Sequence, residues 1–140
     1  MTESVLKDII KLEIYKIIYI ERMPMIERIE ILHDNKVIGD KAYDMINKIH
    51  EKHLEKNNFT QETLDLFLTH LAMALERTYK GEEIEYLDDS ILNELKKADK
   101  YQEAKDFWRK IKDDFSINLA ASEECYLYLH LVNILNNEED

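Results

Sequence analysis

Two glycines and one proline in 140 residues leave this chain few places where it can turn sharply. Glycine supplies the positive φ and proline the preset φ that tight turns need. A β-sandwich or barrel uses such residues about every ten positions, so the spacing here predicts an all-α protein of long helices and short connections. Hydrophobic residues make up 45% of the chain. That content supports one core and excludes a wholly disordered chain, and the length suits a single domain.

Nineteen Lys and Arg stand against thirty Asp and Glu, a net charge of −11. Affinity for nucleic acid rests on neutralising phosphates with basic side chains, so direct nucleic-acid binding is not expected. A single cysteine, Cys125, permits no disulfide within the chain and fits a reducing compartment. The apolar-looking start is interrupted by Lys7, Asp8, Lys11, Glu13, Lys16 and Glu21. It has neither the charge-free core nor the small-residue cleavage site of a signal peptide or membrane span, and a cytoplasmic protein is the expectation.

Helical spacing predicts a first element over 3–22, with the stripe Leu6, Ile9, Ile10, Ile14, Ile17 and Ile18, and a short one over 25–32 beyond Pro24. Gly39-Asp40 reads as a turn and a helix N-cap before a helix over 41–56, which Asn57-Asn58 breaks. The clearest helix runs over 61–79, capped by Thr60 and stopped at Lys80-Gly81. Asp88-Asp89-Ser90 caps a shorter helix ending near 97, and two more follow over 101–113 and 122–136. Residues 138–140 form an acidic tail.

The helix over 61–79 is apolar on two sides. Leu64, Leu68, Leu71 and Leu75 line one; Leu66, His70, Met73 and Arg77 follow one another along the other. Such a helix is central in its domain or shared with a second subunit. The last helix is apolar all round, with His130 and Asn133 as its strongly polar interruptions and Glu123 two turns before His130. A histidine among leucines is ordinarily a hydrogen-bonded core residue. Here there are two, each with a charged residue seven positions away.

Leu68-Thr69-His70-Leu71-Ala72-Met73-Ala74-Leu75-Glu76-Arg77 and Glu123-Glu124-Cys125-Tyr126-Leu127-Tyr128-Leu129-His130-Leu131-Val132-Asn133 resemble the two histidine-bearing helices of the PTS regulation domain, or PRD. This is the regulatory module of bacterial antiterminators and activators controlled by the phosphoenolpyruvate-dependent sugar phosphotransferase system. The resemblance covers about 34–136. It implies a compact five-helix bundle over 34–137 that forms a homodimer. The extra helical segment over 1–33 lies outside the resemblance, and its Ile stripe predicts that it packs on the bundle or across the dimer. The resemblance also implies that His70 and His130 are phospho-acceptors, served by the phosphocarrier protein or a sugar permease component. We expect Arg77 to pair with a phosphate on His70 and Glu123 to orient His130 through one ring nitrogen.

These modules usually stand in tandem behind a nucleic-acid-binding domain. No helix-turn-helix pattern precedes residue 34, so a stand-alone module is expected, acting through its own oligomeric state or a partner transcription regulator. It would have no catalysis and no cofactor. Thr69 stands where the family typically has Asp before the histidine, which favours an alternative: a dimerisation or adaptor protein that keeps the fold without phosphorylation. His50-Glu51-Lys52-His53 has its histidines three apart, not the four of a zinc-protease helix, and no further ligands complete a metal site. Glu30-x-x-His33 is a single motif where a di-iron bundle needs two.

Overall fold

A computed structural model describes residues 25–137. Six α-helices follow one another: α1 Met25–Asp34, α2 Asp40–Ile49, α3 Gln61–Tyr79, α4 Asp89–Lys97, α5 Tyr101–Phe115 and α6 Ala121–Asn136. No strand occurs among the described residues, and the all-α expectation holds. All six helices contribute to one buried core, α1 through Ile29 and Leu32. The helix expected over 3–22 lies outside the described residues.

Helix ends follow local chemistry. Gly81 has φ +72°. Its N–H donates to the carbonyl of Thr78 at 3.1 Å, and Glu82 N–H reaches the carbonyl of Arg77 at 2.9 Å. This pair of bonds ends α3 and places Arg77 in its last turn. Asp88 caps α4, accepting from the Ser90 N–H at 2.9 Å. Thr60 precedes α3 but makes no side-chain cap; its hydroxyl pairs with that of Thr63 at 2.7 Å.

The start of α2 departs from expectation. Gly39, not Asp40, holds the cap position; its N–H donates to Glu76 Oε1 at 2.8 Å, while Asp40 sits in the first turn and meets His33 Nε2 at 2.6 Å. Nor does α2 run unbroken. A π-helical turn, His50–Leu54, extends it, with Glu55 N–H donating to the carbonyl of His50 at 2.9 Å.

At the end of α1, Lys36 takes φ 60° while Lys36 N–H and Val37 N–H return to the carbonyls of His33 and Leu32. That backbone favours glycine. Lys36→Gly is expected to stabilise the fold by about 0.5–1 kcal/mol, a higher urea midpoint at unchanged slope being the sign.

α3 is the axis of the core. Leu64, Phe67, Leu68, Leu71, Ala72, Ala74 and Leu75 are all buried, and the helix packs most extensively on α6, then on α2. From α5, Trp108 and Ile111 are fully buried. α1 lies against α3 through Ile29 and Leu32, with Arg28 Nη1 3.4 Å from Asp65 Oδ2, both side chains buried. Burial raises the Asp65 carboxyl against the pull of Arg28, Gln61 and His50. Among the described residues no helix is long and apolar enough to cross a membrane.

Candidate functional site: the histidine pair between α3 and α6

His70 and His130, sixty residues apart in sequence, meet where α3 packs on α6. Their rings stack, centroids 4.1 Å apart and planes inclined by 21°. Leu71 and Leu131, the next residue on each helix, are fully buried, so the helices hold the rings at the edge of the core, half-buried. Burial, then the charge of His70, pushes His130 down from 6.5 to about 4. Burial, then the guanidinium of Arg77, lowers His70. Both imidazoles are therefore neutral at neutral pH, and each offers one nitrogen lone pair.

Protonating either ring inside the fold is unfavourable, which makes stability depend on pH. Between 6.5 and about 4 the unfolded chain takes up a proton at residue 130 that the native state refuses. Stability is accordingly full above that window and falls as pH drops through it, by about 3 kcal/mol. Urea unfolding of the wild type and of His130→Gln at several pH values checks this. The variant's profile is expected to be flatter, and parallel profiles would contradict it.

Arg77 and Glu123 are brought together as an ion pair. The Arg77 guanidinium forks onto Glu123, Nε to Oε2 at 2.8 Å and Nη2 to Oε1 at 2.9 Å. Glu123 is 3% exposed and the Arg77 side chain 26%. Both carboxylate oxygens thus engage Arg77 rather than His130. Seven residues on a helix span about 10 Å along its axis, more than a Glu side chain reaches. Arg77 lies the same distance along α3 from His70, but its long side chain leans toward the helix N-terminus, which is the direction of His70.

One participant went unread in the sequence. Glu124, the neighbour of Glu123, accepts from Trp108 Nε1 at 2.6 Å and from Lys112 Nζ at 3.1 Å. Successive helical residues point about 100° apart, so the first turn of α6 sends one carboxylate to α3 and the other to α5. The available signal was an acidic pair opening an otherwise apolar helix. Cys125 is buried, its Sγ donating to the carbonyl of Ser122 at 3.1 Å.

The other histidines lie elsewhere. His33 stacks on Tyr43 at 4.1 Å, and the Tyr43 hydroxyl donates to Glu30. His53 Nε2 is 2.8 Å from Asp114 Oδ2, which Lys52 also holds. Among the described residues no three His, Cys, Asp or Glu side chains group to hold a metal ion. At spacings of three and four from the pair along their helices, Leu66, Met73 and Tyr126 are half-buried; Leu129, next to His130 in sequence, is exposed.

Comparison with known proteins gives the family. Residues 43–134, more than half of the chain, match the PRD domain family. The chain is also similar to the uncharacterized protein YhfY of Escherichia coli (strain K12), 34% identical over 67 residues. That stretch is 48% of this chain and 56% of YhfY, so the match spans little over half of that relative. No solved structure matches significantly. With an all-α bundle, a histidine on each of two helices packed together at its centre and the family match running through both, the chain belongs to the PRD domain family.

Proposed function

We propose that this chain is a regulatory module switched by phosphorylation of His70 or His130, with the phosphocarrier protein or a sugar permease component of the phosphotransferase system as donor. Its output is its oligomeric state or a partner transcription regulator, and it catalyses no reaction itself. The observation that carries this reading is the stacked, neutral, half-exposed imidazole pair beside a forked Arg–Glu bridge. In the transfer, a ring-nitrogen lone pair forms a bond to phosphorus while the donor's phosphorus–nitrogen bond breaks, its electron pair staying on the donor imidazole. Only a neutral ring can do this, and burial keeps these rings neutral.

A phosphoryl group carries about −1.5 to −2 charges and strong acceptor oxygens. On His70 it competes with Glu123 for the Arg77 guanidinium. If Arg77 turns to the phosphate, Glu123 is left as an unpaired carboxylate in a buried place, and the α3–α6 contact must rearrange to hydrate it. The apolar face of Leu66, Met73, Tyr126 and Leu129 around the pair suits a second copy of the chain, and a dianion at its centre alters that packing.

Incubation with phosphoenolpyruvate, the general phosphotransferase enzyme and the phosphocarrier tests the reading. Intact mass at neutral pH should show a phosphoryl adduct, mapped to His70 or His130 and absent from the matching His→Ala variant. Sedimentation should change with it. Lack of transfer from either donor class to a folded protein would move the assignment to the adaptor reading. One observation favours that second reading: Thr69 is a buried, neutral hydroxyl next to His70, where the family typically offers a carboxylate.

A further inference from the structure

We infer that this chain carries a self-association contact away from the histidine pair: the acidic loop over 82–88 of one copy docks in a lysine-lined groove of another. The contact does not depend on phosphorylation of either histidine.

The groove lies beside the π-helical turn and has a volume of about 480 Å³, with Lys48, Glu51, Lys52, Lys56 and Phe115 along its walls. In a chain of net charge −11, three lysines on one short stretch reverse the prevailing sign. Lys52 is shared with Asp114 at 2.7 Å and stands 5.7 Å from the centre of the Phe115 ring. Lys48 and Lys56 are exposed and belong to no ion pair among the described residues. Against Glu51 and Asp114 the groove remains net positive. It offers two uncommitted ammonium groups and a half-buried aromatic ring.

The loop offers the opposite. Glu82, Glu83 and Glu85 are exposed and belong to no ion pair among the described residues. Tyr86 is 61% exposed, more than any other large hydrophobic side chain described, and Ile91 at the start of α4 extends its apolar surface at 46%. The loop is held in place at both ends. Glu82 N–H donates to the carbonyl of Arg77 at 2.9 Å, Leu87 is buried, and Asp88 caps α4. An ordered loop gives up little conformational freedom on docking.

The chain thus presents two unpaired charge sets of opposite sign, each with an aromatic ring, that do not meet within one molecule. Between copies they are complementary. Opposite charge steers encounter and sets register, and Tyr86 seated on Phe115 supplies the apolar contact. Groove and loop are different surfaces, so the contact joins unlike faces. Two chains with opposite charge reversals can therefore associate where neither associates with itself.

Sedimentation of the full chain tests this. Lys48→Glu with Lys56→Glu makes the groove acidic, and Glu82→Lys with Glu85→Lys makes the loop basic. All four positions are exposed and outside any ion pair, so the urea midpoint should stay near that of the wild type. Each double variant alone is expected to self-associate at least about tenfold more weakly than the wild type. Mixing the two in equal amounts should restore association, because every acidic surface then faces a basic one. All four substitutions in one chain should restore it too. Two measurements need no reversal: raising salt from about 0.05 M to about 0.5 M weakens the wild-type contact, and Tyr86→Ser weakens it at constant charge. A wild type that stays monomeric at about 0.1 mM and low salt overturns the inference. So does self-association that neither salt nor Tyr86→Ser weakens, that the reversals leave intact, or that mixing fails to restore.

Discussion

Arg77→Met is expected to lower the unfolding free energy by about 3 kcal/mol, because it leaves the buried Glu123 carboxylate without its counter-ion. Removing one partner of a buried pair costs about 3–5 kcal/mol, and the partial exposure of the Arg77 side chain, 26%, places this case at the lower end. Glu123→Gln should cost less, since an amide still accepts from the guanidinium. The informative variant is the double replacement Arg77→Met with Glu123→Met. Exchanging both ions for apolar side chains is often neutral, so most of the loss should return. Urea unfolding of the four proteins forms a cycle whose coupling energy isolates the bridge. A single Arg77→Met variant as stable as the wild type would show that the bridge is no brace between α3 and α6. If the double variant also retained full phosphate-dependent switching, the proposed competition between phosphate and Glu123 would fail.

Trp108→Ala is expected to cost about 4 kcal/mol, the usual range for emptying a large aromatic site being about 3–5. Trp108 is fully buried on α5, and its indole N–H donates to Glu124 Oε2 at 2.6 Å. The alanine variant loses both the packing and the donor. Trp108→Phe separates the two: it keeps most of the ring and removes the N–H, for an expected cost of about 1–2 kcal/mol. Glu124 retains Lys112 at 3.1 Å in either case. Thermal and urea unfolding check the order, wild type above Phe above Ala. An alanine variant within about 1 kcal/mol of the wild type would mean that α5 contributes little to the core.

Much of the fold was legible because the helices recur in apolar spacing and some carry their own punctuation. α3 is bounded by Thr60 and Gly81, its two apolar faces recur at helical spacing, and it lies at the centre of the bundle as a two-sided helix should. Asp88 caps α4 where a short acceptor side chain before an apolar run predicts a cap. The π-helical turn His50–Leu54 was not legible. His-Glu-Lys-His-Leu contains no breaker, and one extra residue in a turn leaves no mark on the hydrophobic pattern. The shift from Asp40 to Gly39 at the start of α2 has a tertiary cause, since Glu76 of α3 accepts the Gly39 N–H and His33 of α1 holds Asp40.

The site divides in the same way. Sequence alone determined that His70 and Arg77 share one face of α3 and that Glu123 and His130 share one side of α6, because a helix of known period places residues seven apart on the same side. It also determined the chemistry available there: two imidazoles, a guanidinium and a carboxylate. Partnership across the two helices was decided by the packing of α3 on α6. Within one helix, each charged residue shares a side with the histidine seven positions away, which is why the sequence pairs them. Between helices, the crossing sets histidine on histidine and Arg77 on Glu123 instead. Periodicity fixes direction around one axis and carries no information on the rotation and offset of a second axis beside it. Those were settled by the close packing of Leu68, Leu71, Leu75, Leu127 and Leu131, whose interlocking leaves the polar groups to meet where the apolar ones fit.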